Sequence, residues 1–234
     1  MAKFGKLYLI PAPLGENSYA PIPEYVKPAV AHLTHFIVEQ EKTARRYLKA
    51  YGYPHPLNDL ILYPLNKHTE EADLITYIQP LLAGTSMGLI SEAGMPCIAD
   101  PGAAIVELAH QNRIHVVPLS GPSSILLALV ASGFNGQEFA FNGYLPIKHP
   151  ERKQKLQALE RLALGGQTQI FMDTPFRNQQ LLEDLQACCR SDTRLCIACD
   201  ITLPSEYIKT QSLADWKKSK ESLHKRPAIF ILGK

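Results

Sequence analysis

Several features that would settle the function of a 234-residue chain are missing from this one. It has no run of about 18 apolar residues, so no ordinary membrane-spanning helix is expected. The opening MAKFGKLYLIPAP has an apolar run of only about five residues, too short for a signal-peptide core, and a cytoplasmic protein is expected. There is no GxxxxGK-S/T loop, no GxGxxG and no GxSxG, which excludes the usual phosphate-loop, dinucleotide and hydrolase-elbow signatures. The five cysteines are odd in number, which argues against a disulfide framework. Cys196 and Cys199 have CxxC spacing, but RLCIACD reads as a buried strand. Side chains three apart on a strand point to opposite faces, so small buried hydrophobes are expected and no metal. Net charge is +2, without the basic excess of a dedicated nucleic-acid binder. Two local basic runs do occur, IKHPERKQK and WKKSKESLHKR.

What is present is an alternation. Short apolar runs at 6–10, 35–39, 60–64, 87–91 and 114–118 are separated by helical patterns at 23–33, 42–52, 69–84 and 103–111. Gly52 is expected to end the second helix. Pro80 should kink or shorten the third, whose apolar face is expected to carry Ile75, Ile78 and Leu82. Continuous apolar runs mark strands covered on both faces, so the first half predicts a doubly wound, mostly parallel five-stranded sheet. After a buried helix at 120–133, strands are expected at 138–145, 168–172, 194–200, 207–213 and 228–232, with helices at 151–164 and 178–189. A hairpin-like connection near 200–213 makes this second sheet mixed. The expected organisation is two α/β domains, residues 1–119 and 120–234, without low-complexity tract or repeat.

Three loops stand out at the carboxyl ends of predicted strands: PAPLG (11–15), SEAGMPCIADPG (91–102) and SGPSS (120–124). In open α/β sheets that edge is where ligands bind. Gly94 and Gly102 permit close backbone approach or positive φ, Pro96 and Pro101 stiffen their loop, and a helix N-terminus after SGPSS favours an anionic group. Asp100 is expected to cap the next helix, and Trp216 to pack in a core.

Seven segments then occur in order: LYLIPAPLGE, GLISEAGMPCIADPG, VVPLSGPSS, FNGYLPIK, IFMDTPFRNQQLLEDL, ITLPSEY and RPAIFILG. Together they resemble the tetrapyrrole methylase superfamily of S-adenosylmethionine-dependent methyltransferases, nearest the branch that 2′-O-methylates a cytidine ribose in small-subunit ribosomal RNA. The resemblance implies two α/β domains with the cofactor in a cleft between them, and a homodimer. The first domain would carry the substrate side and part of the cofactor site, the second the remainder. Pro13, Leu14 and Gly15 would line one cofactor wall, continued by Ser120, Gly121 and Ser123. Glu92, Ala93 and Gly94 would hold the methionine end, Met172 and Asp173 the opposite wall, and Pro227 and Ala228 the adenine.

On the substrate side the branch's Glu-Asp-Thr-Arg stretch is here EQEK, which keeps Glu39, and NKHTE keeps His68 and Glu70. The Gly-Asp pair of the branch's first loop is absent. Glu39, His68 and Glu70 are the candidate catalytic groups, because a hydroxyl acceptor needs a base beside it. Plainer roles are open to the same residues: Glu70 as an acid at a helix start, His68 as a solvent-exposed cap neighbour, Glu39 as a counter-charge to Arg45 or Arg46. Lys42, Arg45, Lys148, Arg152 and Lys153 are the candidate RNA contacts, on a small-subunit ribosomal RNA substrate. Two other readings stay open: methylation of a tetrapyrrole-like small molecule, and cofactor binding without catalysis.

Overall fold

The computed structural model describes residues 4–66 and 68–234 and divides into two compact units, Met1–Ser123 and Ser124–Lys234. In the first, β1 (Lys6–Ile10), β2 (His35–Val38), β3 (Ile61–Pro64), β4 (Met87–Ile90) and β5 (His115–Pro118) form one parallel sheet in the order β3-β2-β4-β1-β5. Alternate side chains feed two cores. Ile10, Phe36, Val38 and Ile90 pack with α2 (Glu41–Tyr51) on one face; Leu7, Ile37, Met87 and Leu89 pack with α5 (Gly102–Gln111) on the other. Both faces are covered, which is why these strands read as unbroken apolar runs. Gly88 shows how closely the first face is filled: a Cβ there would lie 2.6 Å from both Ile10 and Phe36 side-chain carbons.

Local signals set most boundaries. Gly52 closes α2 in the left-handed conformation, φ 87°, its N–H bonded back to Lys49 O, a backbone state that glycine adopts without strain. Pro80 divides the expected third helix into α3 (Glu71–Tyr77) and α4 (Gln79–Leu82). One expectation fails here. Ile78 is buried but Ile75 is half exposed, because the face that packs on the sheet is formed by Leu74, Tyr77, Ile78, Leu81 and Leu82, and Ile75 lies to its side. Among the described residues no helix is long and apolar enough to cross a membrane.

In the second unit, β6 (Phe139–Tyr144), β7 (Thr168–Met172), β8 (Arg194–Cys199), β9 (Tyr207–Ser212) and β10 (Ala228–Gly233) form a mixed sheet, ordered β6-β7-β10-β8-β9. Only β6 and β7 run parallel; β10 is antiparallel to both neighbours, and β8 and β9 form a hairpin. Helices α7 (His149–Leu164) and α8 (Asn178–Cys188) cover one face together with the buried Trp216, whose Nε1 donates to Leu195 O. Helix α6 (Ser124–Ser132) contacts β8, β9 and β10. Cys196 and Cys199 are both fully buried.

Arg152 corrects an expectation. It is not displayed for RNA: it is 4 % exposed, and its guanidinium lies 2.6 Å from Asp173 Oδ2 and 2.9 Å from Asp184 Oδ2. Helical spacing explains the error, because in ERKQK only one of three successive cations faces inward, and lysines 153 and 148 remain exposed. Asp173 is also held by Arg177, at 2.5 Å, and by Thr174 N–H. Burial alone would raise its carboxyl, but the hydrogen bonds from Arg177 and Thr174 and the charges of Arg152 and Arg177 prevail and hold it below the ordinary carboxylate range.

Arg152→Ala would leave buried Asp184 without its cation and Asp173 with Arg177 alone, and should cost about 3 kcal/mol by denaturant unfolding, whereas Lys153→Ala should change stability by less than about 0.5 kcal/mol. Because Asp173 has a lowered folded-state value, its contribution is present above the unfolded carboxyl value of about 4 and is lost as pH falls below it. The gap between acid melts of wild type and Asp173→Asn should therefore narrow steadily as pH falls from about 4 through the lowered folded-state value; a gap that stays constant over that fall would refute this assignment.

Candidate active site at the carboxyl edge of the parallel sheet

Strands β1 and β4 are neighbours, yet the chain leaves them in opposite directions. From β1 it crosses over β4 to reach β2; from β4 it crosses over β1 to reach β5. A crevice opens where such connections diverge, outside the carboxyl ends of the strands. Here the two diverging loops are tied together. Ala12 N–H donates to Gly94 O at 2.8 Å and Gly94 N–H to Ala12 O at 3.1 Å. Gly94 has φ 73°, and a Cβ on it would lie 3.2 Å from Leu14 Cδ2 and 3.4 Å from Pro122 O. Gly121 packs face-on to Pro11, whose Cβ would sit 2.0 Å from any Cβ added to Gly121. The loops holding Pro13 to Gly15, Glu92 to Gly94 and Ser120 to Ser123 are thus in mutual contact within the first unit.

Polar groups lock this arrangement. Ser120 N–H donates to Tyr25 Oη, Tyr47 Oη donates to Pro11 O, and Asp100 accepts from both Cys97 N–H and Gly102 N–H. Asp100 thus braces the loop and the first N–H of α5, but it is not the expected N-cap, a position held by Pro101 without a side-chain bond. Glu39 Oε1 accepts from Glu92 N–H at 3.0 Å. The Glu92 carboxylate in turn meets Thr43 and the backbone of Gln40, at the start of α2. Burial against α2 raises the Glu92 carboxyl although the residue's edge is in solvent; Thr43 lowers it, the Glu39 charge raises it, Arg46 and Gln40 lower it, and the net direction is up. Glu92 therefore holds α2 with its side chain, a role the sequence did not suggest.

The other expected groups distribute as follows. Glu70 forms a capping box with Asp73 at the start of α3, so its carboxylate serves the helix. His68 is exposed, its N–H bonded to Asn66 Oδ1. Glu39 is no counter-charge to the arginines: Arg46 pairs with Glu16 at 3.1 Å and Arg45 with Glu41 at 3.7 Å. Arg45 also donates to Leu57 O, which turns it inward, away from the RNA-facing role expected of it; Lys42 is exposed. In the second unit Met172 is half-buried, Asp173 is consumed by arginines, Pro227 is exposed and Ala228 pairs with Cys199.

Beside the loops lies a cavity of about 320 Å3, bordered by Pro13 to Asn17 and Tyr19, by Thr43, Arg46, Tyr47 and Ala50 of α2, and by Ser91 and Glu92. Of the α2 members, Arg46 belongs to the basic helix face that the sequence shows with Lys42 and Arg45, whereas Thr43, Tyr47 and Ala50 were missed in the sequence. Their i, i+4, i+7 spacing is the one available signal, and it equally describes an ordinary buried stripe. Among the described residues no three His, Cys, Asp or Glu side chains are grouped to hold a metal ion.

Glycine loops gathered at the carboxyl edge of the parallel sheet mark that edge as the candidate ligand site. Residues 9–216 match the model of the Tetrapyrrole (Corrin/Porphyrin) Methylases. The chain belongs to this family and is a methyltransferase. It is 30 % identical over 209 residues to "Ribosomal RNA small subunit methyltransferase I" of Vibrio cholerae serotype O1, covering 89 % of this chain and 69 % of that one. To the protein of the same name from Haemophilus influenzae it is 31 % identical over 231 residues, 97 % and 78 % of the two chains. Among solved structures, the methyltransferase CobJ superposes with TM-score 0.65 at 18 % identity, over 98 % of this chain and 94 % of that one. Uroporphyrin-III C-methyl transferase from Thermus thermophilus, complexed with S-adenyl homocysteine, superposes with TM-score 0.57 at 16 % identity, over 98 % of each chain. These two likenesses establish the fold.

Since the Glu39 charge pushes the Glu92 carboxyl upward, Glu39→Gln should lower the Glu92 titration midpoint. Carboxyl-detected NMR titration measures it directly; an unchanged or higher midpoint would contradict the coupling.

Proposed function

We propose that the protein transfers a methyl group from S-adenosylmethionine to a ribose 2′-hydroxyl of small-subunit ribosomal RNA. The observation that carries the choice of RNA over a small macrocycle is the 30–31 % identity to ribosomal RNA methyltransferases across 89–97 % of the chain, against 16–18 % for the macrocycle and CobJ neighbours. The first unit's loops support this reading: Gly94 and Gly121 let them close on one another against Leu14, Pro122 and Pro11, and Glu39 and Glu92 put negative charge where an ammonium would be received. Pro13 to Gly15, Ala93 and Gly94, and Ser120 to Ser123 would hold it there. When bound, S-adenosylmethionine supplies a methyl carbon already activated by its sulfonium.

The chain's own work is then positioning and proton removal. A ribose hydroxyl must lose its proton as the new C–O bond forms. Of the three acids and bases expected on the substrate side, Glu39 is the one whose carboxylate is bonded into the loop assembly, while Glu70 caps a helix. Glu39 is accordingly the proton acceptor in this reading, with exposed Lys42, Lys148 and Lys153 contacting RNA phosphates. A cytoplasmic homodimer belongs to the same reading, and sedimentation equilibrium tests the dimer.

Small subunits lacking ribose methylation, incubated with labelled S-adenosylmethionine, should acquire one alkali-resistant linkage. Calorimetric binding of the cofactor with no label in the subunits would leave a cofactor-binding protein, and label in a porphyrinogen would favour the macrocycle. Glu39→Gln should lower kcat at saturating cofactor by about a hundredfold or more, over and above the weaker hold on the ammonium that loss of its charge brings. Gly121→Ala, which forces the Ser120 loop off Pro11, should weaken cofactor affinity by about tenfold or more.

A further inference from the structure

We propose that the cavity beside α2 seats a single RNA nucleotide, base and sugar inside and phosphate on Arg46. The choice of occupant follows from the RNA reading above; the place and orientation follow from the cavity itself.

The cavity borders the gathered loops at Pro13 to Gly15 and Glu92, but neither Gly94 nor residues 120–123 line it. It is a space next to the methyl-donor loops rather than among them. Along α2 it runs from Thr43 to Ala50, about 10 Å of helix. Its volume, about 320 Å3, lies at the lower limit of small-molecule sites, which begin at about 300 Å3. One nucleoside matches that size, and a four-pyrrole macrocycle exceeds it.

The walls match a nucleoside as well. Tyr19, half-buried at the wall, is the ring available to a base; the buried Tyr47 stacks behind it, 8° from parallel, and also meets Tyr51. At the strand end, Glu92 and Ser91 offer acceptors to an exocyclic amine or a sugar hydroxyl. Charge sets the direction of entry. Glu92, with Glu39 bonded to its N–H, makes the strand end of the cavity negative and repels a phosphate. The cation lining the cavity is Arg46, which is 64 % exposed and paired with Glu16, itself 79 % exposed. Such a pair contributes about 0–1 kcal/mol, so a phosphate, which takes a guanidinium bidentately, can displace Glu16. An RNA nucleotide held this way must leave its helical stack, as acceptors do in other enzymes that act on one nucleotide of a strand.

Ala50 and Arg46 are both exposed, so substitutions there leave the core intact. Ligand-observed NMR with each of the four ribonucleoside 5′-monophosphates and the matching nucleosides provides the test, alongside calorimetry with S-adenosylmethionine. At least one monophosphate should bind wild type. Ala50→Trp should reduce that affinity by about tenfold or more by filling the cavity, with cofactor affinity unchanged. Arg46→Ala should weaken the monophosphate several-fold and leave the nucleoside as it was. The proposal is overturned if no monophosphate binds at millimolar concentration, if Ala50→Trp binds as wild type does, or if Ala50→Trp abolishes cofactor binding, which would make the cavity the cofactor's. Should nucleotides bind in the expected pattern while subunits stay unmethylated, the cavity assignment stands and the RNA methylation reading falls.

Discussion

The paired backbone hydrogen bonds between Ala12 and Gly94 are what the first unit's site depends on. Parallel strands force the chain to leave every strand at the same edge, and the order β3-β2-β4-β1-β5 sends the exits of β1 and β4 apart. Left to themselves, two such loops would splay. The bridge holds them, and it requires a residue at position 94 that tolerates φ 73° with Leu14 and Pro122 close against it. Gly94 meets both demands because it carries no Cβ.

Around that bridge the charges cross over. Glu39, at the end of β2, accepts from the backbone of Glu92; Glu92, after β4, reaches to the start of α2 immediately beyond Glu39. Each carboxylate thereby anchors the segment that carries the other. The Glu92 carboxyl is raised, by burial first and by the nearby Glu39 charge second. Raised carboxyls of this kind gather at sites that bind cations or move protons. The same two residues therefore shape the loop edge and give it the negative field on which the proposed roles for cofactor and nucleotide rely.

The second unit uses charge differently. Arg152, Asp173, Arg177 and Asp184 form a buried network with little access to solvent, and Arg226 ties Asp200 and Glu221 together beside the start of β10. Buried pairs of this sort fix geometry more reliably than they add stability. Residues 173 and 227, expected at a ligand wall, sit at the ends of strands steadied by these networks.

The sequence by itself determined the parallel sheet, the mixed sheet and the gathering of glycine loops at strand ends, because continuous apolar runs, Gly52, Pro80 and the Pro-Gly loops act through local backbone preference and face-by-face burial. Only the tertiary structure decided which polar side chains are free. Arg152 and Lys153 are adjacent in the chain and alike in type, yet one lies beneath Asp173 and Asp184 and the other in water. Glu92 reads as a ligand group, and only the fold sets its carboxylate beside the start of α2; Thr43, Tyr47 and Ala50 carry no signal beyond helical spacing, and only the fold makes them wall a cavity. Periodicity records that a side chain points inward but not what it meets there. The partners come from segments about 20 to 50 residues away, and their approach is fixed only when the strands have taken their order in the sheet.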